Sequence, residues 1–138
     1  MKIFTAVLLS TLWLLACSSQ PQQSSEEKIA TTLEDMQLET GNKMETIRDY
    51  RVDSWRYIDQ YNLVIEAGLK DKYLISLQSP CFGLNGAFGI GFTSTAGSLD
   101  KFEDIVVKGP SGRAERCPIS DIVKLEPIPT ANVEPTPE

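Results

Sequence analysis

No histidine occurs among the 138 residues, so the side chain most used as general base, triad member and transition-metal ligand is missing. That excludes most hydrolase and metalloenzyme constellations. Basic residues are outnumbered, 13 Lys and Arg against 19 Asp and Glu for a net charge of −6, and no segment concentrates them. Binding phosphates takes the opposite balance, so nucleic acid and anionic lipid headgroups are argued against as partners. The glycines at 83, 86, 89 and 91 fit neither a dinucleotide nor a phosphate-loop spacing, so neither a nucleotide nor any other cofactor is expected. C-x-x-C spacing and internal repeats are absent, as is an apolar run of the ~20 residues a transmembrane helix needs.

The longest apolar run, residues 3–15 behind the single charge of Lys2, is short enough for a signal-peptide core. It closes on Leu14-Leu15-Ala16-Cys17, which resembles the lipobox of bacterial lipoproteins. The resemblance implies removal of residues 1–16 as a signal peptide, a lipid on the sulfur of Cys17 and acylation of its amine. Cysteine is required because its thiolate is nucleophilic enough to take the lipid as a stable thioether. Two or more acyl chains hold a protein on its membrane where one does not. Ser18, standing where aspartate would signal retention, implies the periplasmic face of the outer membrane, or the cell membrane where no outer membrane exists. The competing reading is an ordinary secretory signal with an incidental cysteine. Residues 17–25, the lipidated cysteine with a Ser, Gln and Pro stretch, form a flexible linker.

Cys17 aside, two cysteines remain, Cys81 and Cys117. In an exported protein the default is a disulfide. It closes a loop of about 37 residues, a stabilisation of roughly 4 kcal/mol in the chain-entropy model.

Residues 26–126 read as one domain. Ser24 with Glu27 is a capping-box pattern, and Ile29, Leu33 and Met36 recur at helical spacing, which predicts an amphipathic helix over 26–39 packed on the domain. From about residue 46 the pattern changes to short β-type runs at 47–52, 55–58, 62–67, 73–77, 87–93 and 105–108, separated by turn signals. In the run 87–93, Phe88, Ile90 and Phe92 share one face while Ala87, Gly89, Gly91 and Thr93 share the other. Such a bare face suits a bent strand or one covered by another element, and alternatively a surface left open for a ligand or peptide. The three-residue spacing of Ile119, Ile122 and Leu125 predicts a helical turn before a last short strand. Residues 127–138, with four prolines among Thr and Glu, read as a disordered tail. The fold class is mainly β, a small antiparallel twisted sheet or partial barrel with one N-terminal helix and one disulfide.

Five segments, Arg51-Val52-Asp53-Ser54-Trp55, Tyr73-Leu74-Ile75-Ser76-Leu77-Gln78-Ser79-Pro80-Cys81, Gly89-Ile90-Gly91-Phe92-Thr93-Ser94, Phe102-Glu103-Asp104-Ile105-Val106-Val107 and Cys117-Pro118-Ile119-Ser120-Asp121-Ile122, resemble in their order the domain-of-unknown-function family 6491 of small proteobacterial lipoproteins. One departure is that the family pattern has aspartate directly after the phenylalanine, where this chain has Glu103 before Asp104. The resemblance implies an anchored, cysteine-bridged domain and carries no activity.

Candidate chemistry is thin. Asp53 with Asp59, or Glu103 with Asp104, are the carboxylate pairs that a small envelope-glycan-acting enzyme would use as acid and base. Trp55, Tyr57 and Tyr61 lie close enough in sequence for an aromatic platform, or else Trp55 and Tyr57 share a strand face and fill the core. With Gly89 and Gly91 they are the candidate binding surface, and no metal site is expected. The expected role is a non-catalytic interaction or accessory module, held to the membrane through Cys17 and meeting an envelope protein through its surface, for instance at an exposed strand edge.

Overall fold

A computed structural model of the chain describes residues 23–48, 50–94 and 97–129. The expected signal peptide, Cys17 and the linker up to residue 22 lie outside the described residues, as does the tail from residue 130. In chain order the elements are α1 (Ser25–Asp35), β1 (Leu38–Met44), β2 (Thr46–Arg48), β3 (Val52–Tyr57), β4 (Asn62–Ala67), β5 (Asp71–Leu77), a 3₁₀ turn (Phe82–Leu84), β6 (Gly89–Phe92), β7 (Ser98–Asp100), β8 (Asp104–Lys108) and β9 (Ala114–Pro127).

The long strand β9 is the spine. Residues 114–118 pair with β8, 119–125 with β5 and 122–127 with β1, all antiparallel. The main sheet runs β3-β4-β5-β9-β8-β6, with β1 on the side of β9 opposite β5, and it curls into a half-barrel. The expected helical turn at 119–125 is therefore a strand. Its three-residue spacing comes from a bulge: Ser76 pairs with Asp121 but Leu77 with Ile119, leaving Ser120 as the extra residue. That insertion lets Ile119 and Ile122 both enter the inner core, while Leu125, an odd step further on, reaches the outer one. The strand also carries the fold one residue past 126, and Ile128 N donates to Gln37 O.

Each face of the sheet has its own core. Inside the curl, Leu63, Ile65, Ile75, Leu77, Ile105, Val107, Ile119 and Ile122 pack together. The minor sheet of β2 and β7 adds Ile47 and Leu99, both fully buried, to the open side of the curl. On the outer face Val64, Leu74 and Leu125 meet Leu33 of α1, with Leu38 and Ile58. Strands β4 and β5 are thus buried on both faces, which is why Leu63-Val64-Ile65 and Tyr73-Leu74-Ile75 read as continuous apolar runs. The expected single strand at 47–52 is broken. Ile47 belongs to β2, Val52 opens β3, and between them Tyr50 stacks edge-on against Phe92 with ring centroids 5.5 Å apart.

The capping prediction holds at the front of α1, where the Ser24 hydroxyl accepts from Glu27 N at 3.3 Å. The back differs: the helix stops at Asp35, with Gln37 at φ 55 in the left-handed conformation that ends helices. Leu38 then starts β1 opposite Pro127, because the outer core takes it from a strand and not from a fourth helical turn.

Cys81 and Cys117 are joined in a disulfide, Cα to Cα 5.7 Å. It marks one end of the half-barrel. Cys81 N donates to Gln60 O in the β3–β4 hairpin, and the first residues of α1 line a cleft with Tyr57, Asp59 and Gln60 of the same hairpin. The described chain therefore enters the fold at the disulfide end, and the β4–β5 hairpin around Leu69 lies at the other.

Candidate functional site

Strand β6 closes one edge of the main sheet. Among the described residues it pairs with β8 alone, Gly89 opposite Lys108 through Phe92 opposite Ile105. Thr93 N donates to Asp104 O at 3.1 Å, and this sets the phase of the ladder. Antiparallel pairs alternate between bonded and non-bonded, so the N–H and C=O of Ile90 and Phe92 point away from β8. Among the described residues no further strand takes them up.

Side chains do nothing to shield that edge. Ile90 and Phe92 pack inward against the core, while Gly89 and Gly91 lie on the outer face beside Val106 and Lys108. A Cβ added at Gly89 would meet nothing within 4 Å, and one at Gly91 only Val106 O at 4.0 Å. Among the described residues no element covers this bare face. Neither glycine has a positive φ, so the backbone itself would accept other residues there.

The other candidates are not brought together. Trp55 and Tyr57 share the inner face of β3 and pack half-buried against the core, whereas Tyr61, 41 % exposed, projects from the hairpin. They are core edges and no platform. Burial, then the charge of Asp59, pushes the Tyr57 hydroxyl above its ordinary value, and burial does the same for Tyr73.

Carboxylates are likewise dispersed. Asp53 is exposed near the start of β3 and Asp59 lies beyond its end, about 20 Å away at the strand rise of ~3.3 Å per residue, against the roughly 5–9.5 Å of a glycosidase pair. Asp59 is buried where it fixes the hairpin, its Oδ1 accepting from Tyr61 N at 2.8 Å and from Asn62 Nδ2 at 3.0 Å. Glu103 and Asp104 are consecutive at the start of β8, so their side chains diverge. Glu115, which composition had not singled out, accepts from Phe82 N and from Gly83 N at 2.6 Å and so pins the 3₁₀ turn. A side chain at Gly83 would collide with it, the added Cβ falling 2.7 Å from the carboxylate. Glu115 also groups with Cys81 and Cys117, but their sulfurs are bonded to each other and leave no thiolate for a metal. A concavity of about 660 Å³ between Tyr50, Arg51, Asp53, Gly68, Leu69 and Gly97 offers one exposed cation and one exposed anion. No acid and base converge there.

A protein-family model, described as a family of unknown function (DUF6491), matches residues 1–135. No curated protein and no solved structure matches the chain.

Proposed function

The chain belongs to DUF6491, a family of unknown function, and on that premise we propose that it is a lipid-anchored, non-catalytic interaction module of the bacterial cell envelope. The anchor is the lipid on Cys17, and the location is the periplasmic face of the outer membrane, or the cell membrane where no outer membrane exists. The working surface is the β6 edge. One observation carries this reading: Ile90 and Phe92 turn their backbone groups outward on a strand with no charged residue or proline, and among the described residues no element covers that edge.

An extended segment of an envelope protein laid antiparallel along β6 would satisfy those groups by strand addition. Each backbone hydrogen bond contributes about 1 kcal/mol net, and the glycines let the incoming strand's side chains lie flat over the outer face. The glycan-enzyme alternative draws no support from the carboxylates, which the fold keeps apart. A photo-reactive residue at position 91 in intact cells should capture one reproducible envelope protein, while the same residue at position 54 on β3 should not. Equal capture from both positions, or a repeated blank from 91, counts against the reading. Cys17→Ser should leave the chain unprocessed or soluble, and a variant that fractionates with membranes like the parent removes the anchor.

A further inference from the structure

We propose that the disulfide end of the domain is a membrane-facing surface, in which Phe82 and Phe88 enter the headgroup region of the bilayer and Lys108, Arg113 and Arg116 meet its phosphates. The inference rests on the lipid anchor only for bringing the membrane within reach. Phe82 is 68 % and Phe88 81 % exposed. Both belong to this end, since Phe82 N donates to Glu115 beside Cys117 and Phe88 N donates to Lys108 O at the last residue of β8. Phe102 on the β7–β8 turn is equally exposed, at 81 %, so exposure alone does not mark this end; two exposed rings beside a cluster of cations do, because an apolar ring inserted at the headgroup–acyl boundary leaves water.

The charge nearby fits the same occupant. Lys108, Arg113 and Arg116 are exposed together on the β8–β9 hairpin and make no ion pair among the described residues, a lack they share with other surface cations; what sets them apart is their lying within one hairpin beside Phe88. Of the carboxylates at this end, Glu115 is engaged by backbone N–H groups and Asp59 is buried in its hairpin; Glu26 and Glu27 sit on the first turn of α1, and Glu103 and Asp104 lie beside Cys117, with Asp104 at the opposite end of β8 from Lys108. The whole-chain charge of −6 argues against anionic headgroups. Screening over about 8 Å at physiological salt makes the local cluster, and not the distant total, decide what this hairpin feels.

Chain length supplies the third support. The described chain begins at Gln23 at this same end, and the six residues from Cys17 to Gln23 span at most about 20 Å when extended. An anchored lipid therefore holds this end, and not the Leu69 hairpin, next to the bilayer, where even weak docking is populated at high effective concentration.

Phe88→Trp reports contact directly, with Leu69→Trp, at a site 97 % exposed at the far end, as its control. On vesicles of phosphatidylethanolamine and phosphatidylglycerol with brominated acyl chains, emission from position 88 should be quenched several-fold more than emission from 69, above the background of Trp55 and, in chain that retains residues 1–16, with Trp13 replaced by Phe. Adding Phe82→Ser, or Lys108→Gln with Arg113→Gln and Arg116→Gln, should reduce that quenching while the melting temperature holds. Equal quenching at 88 and 69, or none at 88 on protein bound to the vesicles, overturns the proposal. The mass of the Cys17 peptide reads the anchor separately. If it carries no lipid, the anchoring reading fails, and the vesicles are then added in excess: selective quenching at 88 still supports the surface and its absence overturns it.

Discussion

Among the described residues the far sides of β3, β6 and β1 are unpaired, and β3 and β6, the two ends of the strand path, are alike in backbone and opposite in side chains. On β3, Ile58 N donates to Asn62 O, which turns the N–H and C=O of Trp55 and Tyr57 outward just as those of Ile90 and Phe92 turn outward on β6. In both strands these residues face the inner core. The difference lies on the outer face. β3 carries Asp53, Ser54 and Arg56, all exposed, and charge of this kind protects an edge against pairing. β6 carries Gly89 and Gly91. One edge is closed by its side chains and the other left open, so an unpaired backbone edge does not by itself make a binding site.

The edges also differ in what supports them. β3 pairs with β4, which is buried on both faces, whereas β6 pairs with β8, whose outer face has no helix above it. The disulfide compensates at the root of β6. Replacing Cys81 and Cys117 together by alanine should therefore have the largest effect, about 2–5 kcal/mol of lost stability. A denaturant melt gives the size, and amide exchange should show β6 and β8 opening before β3 and β4; simultaneous loosening would erase the asymmetry. Leu33→Ala acts on the opposite side, removing the main helix contact with Val64 and Leu74. It should cost about 2–3 kcal/mol, at the lower end for a buried leucine because the helix can settle inward, and leave the β6 amides unchanged.

Much of this support was legible in the sequence. The mainly β class, the helix start at Ser24 and the disulfide each follow from local chemistry: a capping hydroxyl, alternating apolar runs and two thiols left after the first. What was not legible depends on partners distant in sequence. Leu38 fits a helical stripe until Pro127 pairs with it. Ile119, Ile122 and Leu125 look helical because a bulge and a strand with two buried faces together mimic a period near three. The glycine face at 89 and 91 had readings as a bent or covered strand and as an open surface, and among the described residues no element lies above it. The cations of the β8–β9 hairpin were lost in an acidic average, although Lys108, Arg113 and Arg116 lie within nine residues of one another.

Smaller changes sharpen the contrast between edges. Gly91→Lys gives β6 the kind of charge that β3 has, at a position where a side chain meets open space. Its stability should stay within about 0.5 kcal/mol of the parent, as for an ordinary surface change, while capture of a partner through β6 is lost. Wild-type capture by this variant would remove the edge from the account. The smallest effect is alkaline. Tyr57 is held above its ordinary value of 10.0 in the fold, so the unfolded chain ionises first as pH rises. The contribution of Tyr57 to stability should be constant below pH 10 and fall above it, and Tyr57→Phe should reduce the fall in melting temperature, with Tyr73 supplying part of what remains. No difference between parent and variant across that range would mean that the β3 hydroxyl is solvated as freely as in the unfolded chain.

Residue-resolved amide exchange at the two edges, in purified protein and in envelope vesicles prepared from cells, tests the central claim most directly. Ile90, Phe92, Trp55 and Tyr57 should all exchange freely in the purified chain, and in the envelope Ile90 and Phe92 alone should slow. Equal protection of Trp55 and Tyr57, or unchanged exchange at Ile90 and Phe92, would contradict it.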